Sequence, residues 1–540
     1  MIAEGWVDLL ARQGVPDPDV AAASEAAAAI AAEIAALPSD PAAPMDAAGF
    51  PSLMARAAAE APSTPAAYPS SPPEGIEAVA GRLRAGEISA AELAEAALVR
   101  LEAADLALNA VARLEPEAAL AQAREADVRL AAARASGETP PPLLGIPLAH
   151  KDLYARAGWT MEAGSRILAG HRASRTATSI AALDRAGAVD LGRLNTVEFA
   201  LGPDGNNVHT GAVLNPWDPA RLPGGSSSGS GAAVAAGAVA AALGSDTGGS
   251  IRLPAAACGI VGVKPTAGLI GRGGVWPLSG ALDTVGPLAA GVRDAALLVQ
   301  AMIGHDPQDP QSVARAPTDL MAGIEDGLAG LRVGVVRALF FDDLPTDIAK
   351  TVEAALALME AEGAALADAA LPGIETANML TVALINAEAA AQHRAWLADR
   401  PTDYGPETLG RLLSGLFLPA SAALAALDGR APMLQAALDG PFREVDVFAT
   451  PVLPCDPPRI EGDDAETYRT RVRAFGRCTR PFNYLGLPSV VLPCGLSDAG
   501  MPVSLQLVGR PFEEALVLRA ARGFERARAF AQEHRPAVTV

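Results

Sequence analysis

Lysine is nearly absent from this chain. Of 42 basic residues only Lys151, Lys264 and Lys350 are lysines, and the rest are arginines. In a protein that uses Arg wherever a fixed positive charge will serve, each surviving Lys needs a reason. One is at hand: a desolvated Lys can lose its proton near neutral pH, whereas Arg cannot. Cysteine is almost as scarce. Cys258, Cys455, Cys478 and Cys494 stand in no CxxC or Cys/His spacing, so neither a disulfide framework nor a zinc site is expected. Basic charge is outweighed by acidic, leaving a net charge of −20. The acidic residues are spread along the chain, which argues against nucleic acid or an anionic membrane as the main partner. No run of 18 strongly apolar residues occurs, so no membrane span is expected. The N-terminus, MIAEGWVDLLARQG, lacks the basic region and apolar core of a signal peptide. Reduced thiols in a cytoplasmic protein follow as the expectation.

What is there is an alternation of helix and strand patterns over 540 residues, enough chain to bury a large core. The alternation predicts an α/β sheet protein. Residues 1–75 form an Ala/Pro-rich extension: a helix over 21–37, then a segment, 38–73, with nine prolines that reads as an extended strap. From residue 76 the pattern changes, and residues 76–540 read as one further domain. Ser89 and Glu92 make a capping box for a helix. The apolar run Leu143–Ala149 reads as a buried strand delivering Lys151 at its end. The region 372–440 is helical and weakly patterned, as a substrate-covering part would be. Its residues Leu380, Leu384, Leu413, Leu416, Phe417 and Leu418 suit either an apolar pocket wall or core.

The most informative stretch is LPGGSSSGSGAAVAAGAVAAALGSDTGGSIRLPAAA, residues 222–257. Two loops of almost nothing but Gly and Ser flank an Ala/Val run. A helix over Ser230–Gly237 and a return strand over Ala240–Leu243 span similar lengths, so the loops can lie side by side. Such loops expose backbone N–H groups and hydroxyls with little bulk in the way, which suits nucleophilic chemistry at an acyl or phosphoryl centre. GSSSG (225–229) formally matches the GxSxG elbow with Ser227 as nucleophile, but no strand precedes it and no histidine follows in a triad context. A phosphate-binding loop is excluded because no GK[ST] ends either Gly cluster.

The ordered blocks GIPLAHKD, LPGGSSSGSGAA and GSDTGGSIRLPAAACGIVGVKPT resemble the amidase signature family of Ser–cisSer–Lys amide hydrolases. The flanking LNTVEFAL, LDTVGPL, VDVFATP and FNYLGLPSVVLPCG are similar to that family as well, and the resemblance covers roughly residues 76–525. It implies the amidase-signature fold, a mixed sheet covered by helices on both faces. It also implies Ser250 as nucleophile, Ser226 as a proton relay joined to Gly225 by a cis peptide bond, and Lys151 as general base. The N–H groups of Thr247, Gly248, Gly249 and Ser250 would form the oxyanion hole. No metal or cofactor is implied.

These roles make physical sense. A Ser hydroxyl must give up its proton to a base as it attacks, and Lys151 is a base only if burial lowers its pKa toward neutrality. Ser227, Asp246 and Arg252 flank the reacting groups and are expected to support them by hydrogen bonding. Lys264 is expected to be structural, and His150, adjacent to Lys151 on a strand, to face the other way. Ser228 departs from the family pattern, standing where Gly is usual. The expected function is hydrolysis of a carboxylic amide, or also an ester, through an acyl-serine. The partner is a small-molecule amide, with a homodimer the one assembly left open. The alternative is the glutamine-hydrolysing subunit of a tRNA-dependent amidotransferase.

Overall fold

The computed structural model describes residues 2–36, 75–316, 318–462 and 464–540. The proline-rich strap expected over 38–73 lies outside the described residues. Eleven strands form a single mixed sheet: β1 (Val111–Leu114), β2 (Pro147–Lys151), β3 (Val189–Leu194), β4 (Ala241–Asp246), β5 (Val261–Lys264), β6 (Thr284–Ala289), β7 (Arg332–Val336), β8 (Ala365–Ala369), β9 (Val447–Pro451), β10 (Ser489–Leu496) and β11 (Pro502–Val508). Their order is β1-β3-β2-β4-β6-β5-β10-β11-β9-β7-β8. Parallel pairs lie toward both ends, where β3, β2 and β4 run together and β9, β7 and β8 do likewise; antiparallel pairs join them through the centre. Every residue of β2, β3, β4, β5, β6, β9 and β11 is buried, so both faces of the sheet are covered. The expected α/β amidase-signature architecture is what the chain adopts.

Local signals explain much of this. Ser89 caps the helix Ala90–Leu108 in the expected box, its Oγ accepting from Glu92 N–H at 3.1 Å while Glu92 accepts from Ser89 N–H at 2.9 Å. The strand that carries Lys151 starts later than the apolar run suggests. Leu143–Ile146 is spent on turns, closed by bonds from Leu144 to Pro141 and from Ile146 to Leu143. Two edge strands, β1 and β8, were not expected. Both are half-exposed and short, and β8 is Ala/Asp-rich, so pairing with a neighbour rather than intrinsic preference makes them strands.

The Ala/Val run after the first Gly/Ser loop forms the helix Ser228–Ala235, two residues earlier than expected, and then β4, which runs on past the expected Leu243 to Asp246. That helix crosses so closely that a Cβ on Gly229 would run into the backbone of Ala110 and Asn195. Two N-terminal helices, α1 (Ile2–Arg12) and α2 (Asp17–Ala35), pack on the helices Ile374–Asp399 and Pro406–Phe417. Leu10, Val15, Val20 and Ala23 share a second core there with Leu153, Phe199, Leu397 and Leu412. Among the described residues no single helix is long and apolar enough to cross a membrane.

Candidate active site

Strands β2 and β4 are parallel neighbours, with Ala149 opposite Ala242 and His150 opposite Leu243. This register sets the end of β2 beside the second Gly/Ser loop. Lys151, wholly buried, reaches from there to two hydroxyls: its Nζ donates to Ser226 Oγ at 2.7 Å and to Ser245 Oγ at 2.9 Å. Burial pushes the Lys151 amine down to about 7, against a smaller upward pull from Asp283 and Asp246. An amine at that value is half neutral near pH 7 and accepts a proton readily.

Ser226 is held from its backbone. Thr196 Oγ1 and Val197 N–H donate to its carbonyl at 2.9 and 3.2 Å, and the Gly225–Ser226 peptide bond is cis. Its neighbour Ser227 exchanges hydrogen bonds with Ser245, accepting from the Ser245 N–H at 3.3 Å and donating to the Ser245 carbonyl at 3.4 Å. Ser228 turns its hydroxyl toward the Asn195 carbonyl, 3.5 Å away.

The second loop is organised by a buried ion pair. Asp246 and Arg252 are fully buried and joined at 2.9 and 3.0 Å. Arg252 also donates to the Thr479 carbonyl, Gln506 Oε1 and Asn483 Oδ1, and Asp246 accepts from Asn483 Nδ2 at 2.7 Å. Burial alone would raise the Asp246 pKa, but Arg252 outweighs it and holds the carboxyl below the usual range. The pair is thus an ionised hub with its hydrogen-bonding capacity filled, the condition under which a buried pair is tolerated.

The hub corrects one expectation. Of the four amides foreseen for an oxyanion hole, that of Gly249 is taken, donating to Asp246 Oδ1 at 2.8 Å. The other end of that peptide is fixed too, because Thr479 Oγ1 donates to the Gly248 carbonyl at 2.6 Å. The N–H groups of Thr247, Gly248 and Ser250 make no hydrogen bond to other described residues. Gly249 itself has φ of 132°, and a Cβ there would meet Thr479 Oγ1, so only glycine fits. Thr247 Oγ1 donates to the buried Asp283 at 2.6 Å, which ties this loop to the Leu278–Asp283 turn.

Lys151, Ser226 and the loop of Ser250 are therefore brought together, but one link is not made. Ser226 and Ser250 meet through the backbone, Ser227 N–H donating to the Ser250 carbonyl at 3.2 Å, and no hydrogen bond joins their side chains. Ser250 Oγ makes no hydrogen bond to the described residues, and the residue is 7% exposed. His150 packs away from the site, as expected for its strand position, 3.9 Å from Asp190 with its Nδ1 unpartnered. Burial lowers its pKa to about 3. Lys264 is a second buried amine also lowered to about 7 by burial, yet its Nζ donates only to the Pro265 carbonyl. Leu380, Leu384, Leu413 and Leu418 prove to be core, while Leu416 and Phe417 are partly buried against the second core. The helix residue that approaches the loop is Ile385: a Cβ on Gly248 would lie 3.1 Å from its Cδ1. Sequence reasoning also missed Ser245, Asp283 and Thr479. Ser245 alone had a signal, since it stands one residue before Asp246 in the Gly/Ser loop.

The amidase family model matches residues 92–518. The chain belongs to the amidase family. A glutamyl-tRNA(Gln) amidotransferase subunit from Chloroflexus aggregans is 39% identical over 476 residues, which cover 84% of this amidase-family chain and 96% of that relative. Among solved structures, a vestigial protein complex bearing on the origins of an s-triazine catabolic enzyme is 34% identical, with a TM-score of 0.79 over 86% of this chain and 100% of its own. The peptide amidase from Stenotrophomonas maltophilia is 29% identical, with a TM-score of 0.73 over 86% and 98%.

Proposed function

We propose that this chain hydrolyses a carboxamide through an acyl intermediate on Ser250. The observation that carries the reading is the buried hydrogen bond from Lys151, its pKa near 7, to the hydroxyl of Ser226, beside the loop that presents Ser250. Neutral Lys151 takes the proton of Ser226 as Ser226 takes that of Ser250, and the Ser250 oxygen attacks the carbonyl carbon. The negative charge that develops on the carbonyl oxygen is met by the free N–H groups of Thr247, Gly248 and Ser250. Ser226 then passes the proton to the leaving nitrogen, and the carbon–nitrogen bond breaks. Water, activated by the same pair, releases the acid. The missing Ser226–Ser250 hydrogen bond is expected to form when substrate fills the site, as such bonds often tighten in the reactive complex. Ser227, Asp246 and Arg252 keep the two loops in register. Trapping an acyl group on Ser250 by mass spectrometry, and its loss in Ser250→Ala, tests this; full amide hydrolysis by Ser250→Ala refutes it.

Glutamine is the amide that the curated relatives favour. At 39% identity over most of both chains they carry the name of an amidotransferase component, which supports the alternative role better than a free-standing amidase. In that role the chain works with a tRNA and with a second protein chain, against the expectation drawn from its −20 charge. Ammonia release from glutamine together with co-purification of a second chain supports it. A free-standing amidase is the second reading, favoured by the acidic charge and by the likeness to the peptide amidase. Amide turnover by the isolated chain without a partner supports that one.

A further inference from the structure

Beside the oxyanion loop lies a positive charge that the reaction does not use. Arg480 opens the short helix Arg480–Tyr484, and a Cβ on Gly248 would lie 3.5 Å from its Cγ. The carbonyl of Arg480 accepts from Thr381 Oγ1 at 3.0 Å, which anchors it to the helix Ile374–Asp399. Gly476 leaves room for the guanidinium, because a Cβ there would come to 3.0 Å from Nε. The one hydrogen bond of the guanidinium to the described residues runs from Nη2 to the Arg473 carbonyl, 3.0 Å. Its other donors are unused.

Burial, and next the like charge of Arg411, lower the pKa of Arg480 to about 10, and no Asp or Glu acts in the opposite direction. Arg411 borders a cavity shared with Val197, whose N–H holds the Ser226 carbonyl. Three acids border that cavity: Glu198 accepts from Ser165, Gly405 and His209, Asp204 accepts from Tyr468, and Glu407, one turn before Arg411 on the same helix, makes no ion pair with it. Neither arginine has an ion-pair partner among the described residues. A guanidinium in a partly desolvated place, without a counter-ion, is unfavourable unless an anion arrives. Arg presents several donors in a planar fork that matches a carboxylate.

We propose that Arg480 selects amides that carry a negatively charged group, a carboxylate being the simplest, a few bonds from the scissile carbonyl. This rests on the acyl-Ser250 reading and narrows its substrate class. Glutamine falls within the class through its α-carboxylate, and so do the monoamides of dicarboxylic acids. Arg480 acts on binding, so its signature is in KM.

The test compares succinamate with butyramide, neutral and of similar size, on the full chain, with acylation of Ser250 followed by mass spectrometry. The wild-type protein is expected to prefer succinamate, and Arg480→Gln to lower kcat/KM for succinamate by about 10- to 100-fold through KM. Butyramide turnover is expected to change less than about threefold, which also reports that the variant is folded. Arg480→Lys is expected to fall between, keeping charge but losing the fork. Equal use of the two amides by the wild type, or equal losses on both in Arg480→Gln, overturns the assignment while leaving Ser250 chemistry standing. Turnover of either amide without Ser250 acylation refutes the acyl-serine reading instead.

Discussion

The pH dependence of acylation is the sharpest consequence of the buried Lys151. Its fall from the ordinary 10.5 to about 7 amounts to roughly 5 kcal/mol in favour of the neutral amine. At pH 7 an unshifted lysine would be neutral in about one molecule in three thousand, whereas Lys151 is neutral in about half. The site thus gains roughly three orders of magnitude in available base at neutral pH. The expected kcat/KM profile rises about tenfold per pH unit below 7 and levels above it, because kcat/KM reports the free enzyme. The sign for stability is the same. The folded pKa lies below the unfolded one, so the unfolded chain binds the extra proton between about 7 and 10.5, and this group's contribution to stability improves as pH rises through that window. Lys264 is the necessary control, being equally buried and equally lowered. Lys264→Met should keep the limb near 7, and Lys151→Met should lose acylation at every pH. A profile that is flat from pH 5.5 to 8.5, or whose limb moves with Lys264 instead, refutes the assignment of the base.

Asp246→Asn leaves Arg252 buried without its counter-charge and should cost about 3–5 kcal/mol in guanidinium denaturation; a cost under about 1 kcal/mol would contradict the hub described above. Gly249→Ala places a Cβ against Thr479 at a φ of 132°, and kcat should fall by about 100-fold or more as the neighbouring amides are displaced; unchanged kcat would mean that the loop is not held as described. Ser245→Ala removes one acceptor from Lys151. Since hydrogen bonds to the ammonium favour the charged form, the acidic limb should move below 7 while kcat drops about tenfold, and a limb that moves upward would reverse the argument.

The parts of the site legible in the sequence were those written in contiguous residues. A near-absence of lysine singled out Lys151, the Gly/Ser loops marked a reactive segment, and the resemblance of the ordered blocks to the amidase signature family pointed to Ser226 and Ser250 within it. Long-range groups left no comparable mark. Thr479 and Asp283 meet the nucleophile loop only because β4, β6 and the helix Arg480–Tyr484 converge in space, and neither residue type is unusual where it stands. The taken amide of Gly249 was equally hidden, because the hydrogen bond to Asp246 depends on the loop's shape rather than its composition. Among the elements, the strand bearing Lys151 and the capped helix Ala90–Leu108 were found; the buried β5 and β6 were not read as strands, and β1 and β8 were missed because an exposed edge strand needs no apolar alternation. The helical region 374–439 was recognised, yet which of its residues nears the site, Ile385, was not; helix rotation decides that, and several equally apolar candidates surround it.

Lys151 and the loop of the proposed nucleophile hang from adjacent strands of one sheet, whereas Ile385 and Arg480, which approach that loop at Gly248, come from helices outside it. The reaction and the choice of substrate are therefore inherited separately. Substitutions in those helices can redirect the enzyme to a new amide without disturbing the spacing of Lys151 and Ser226, which the ladder between β2 and β4 keeps fixed.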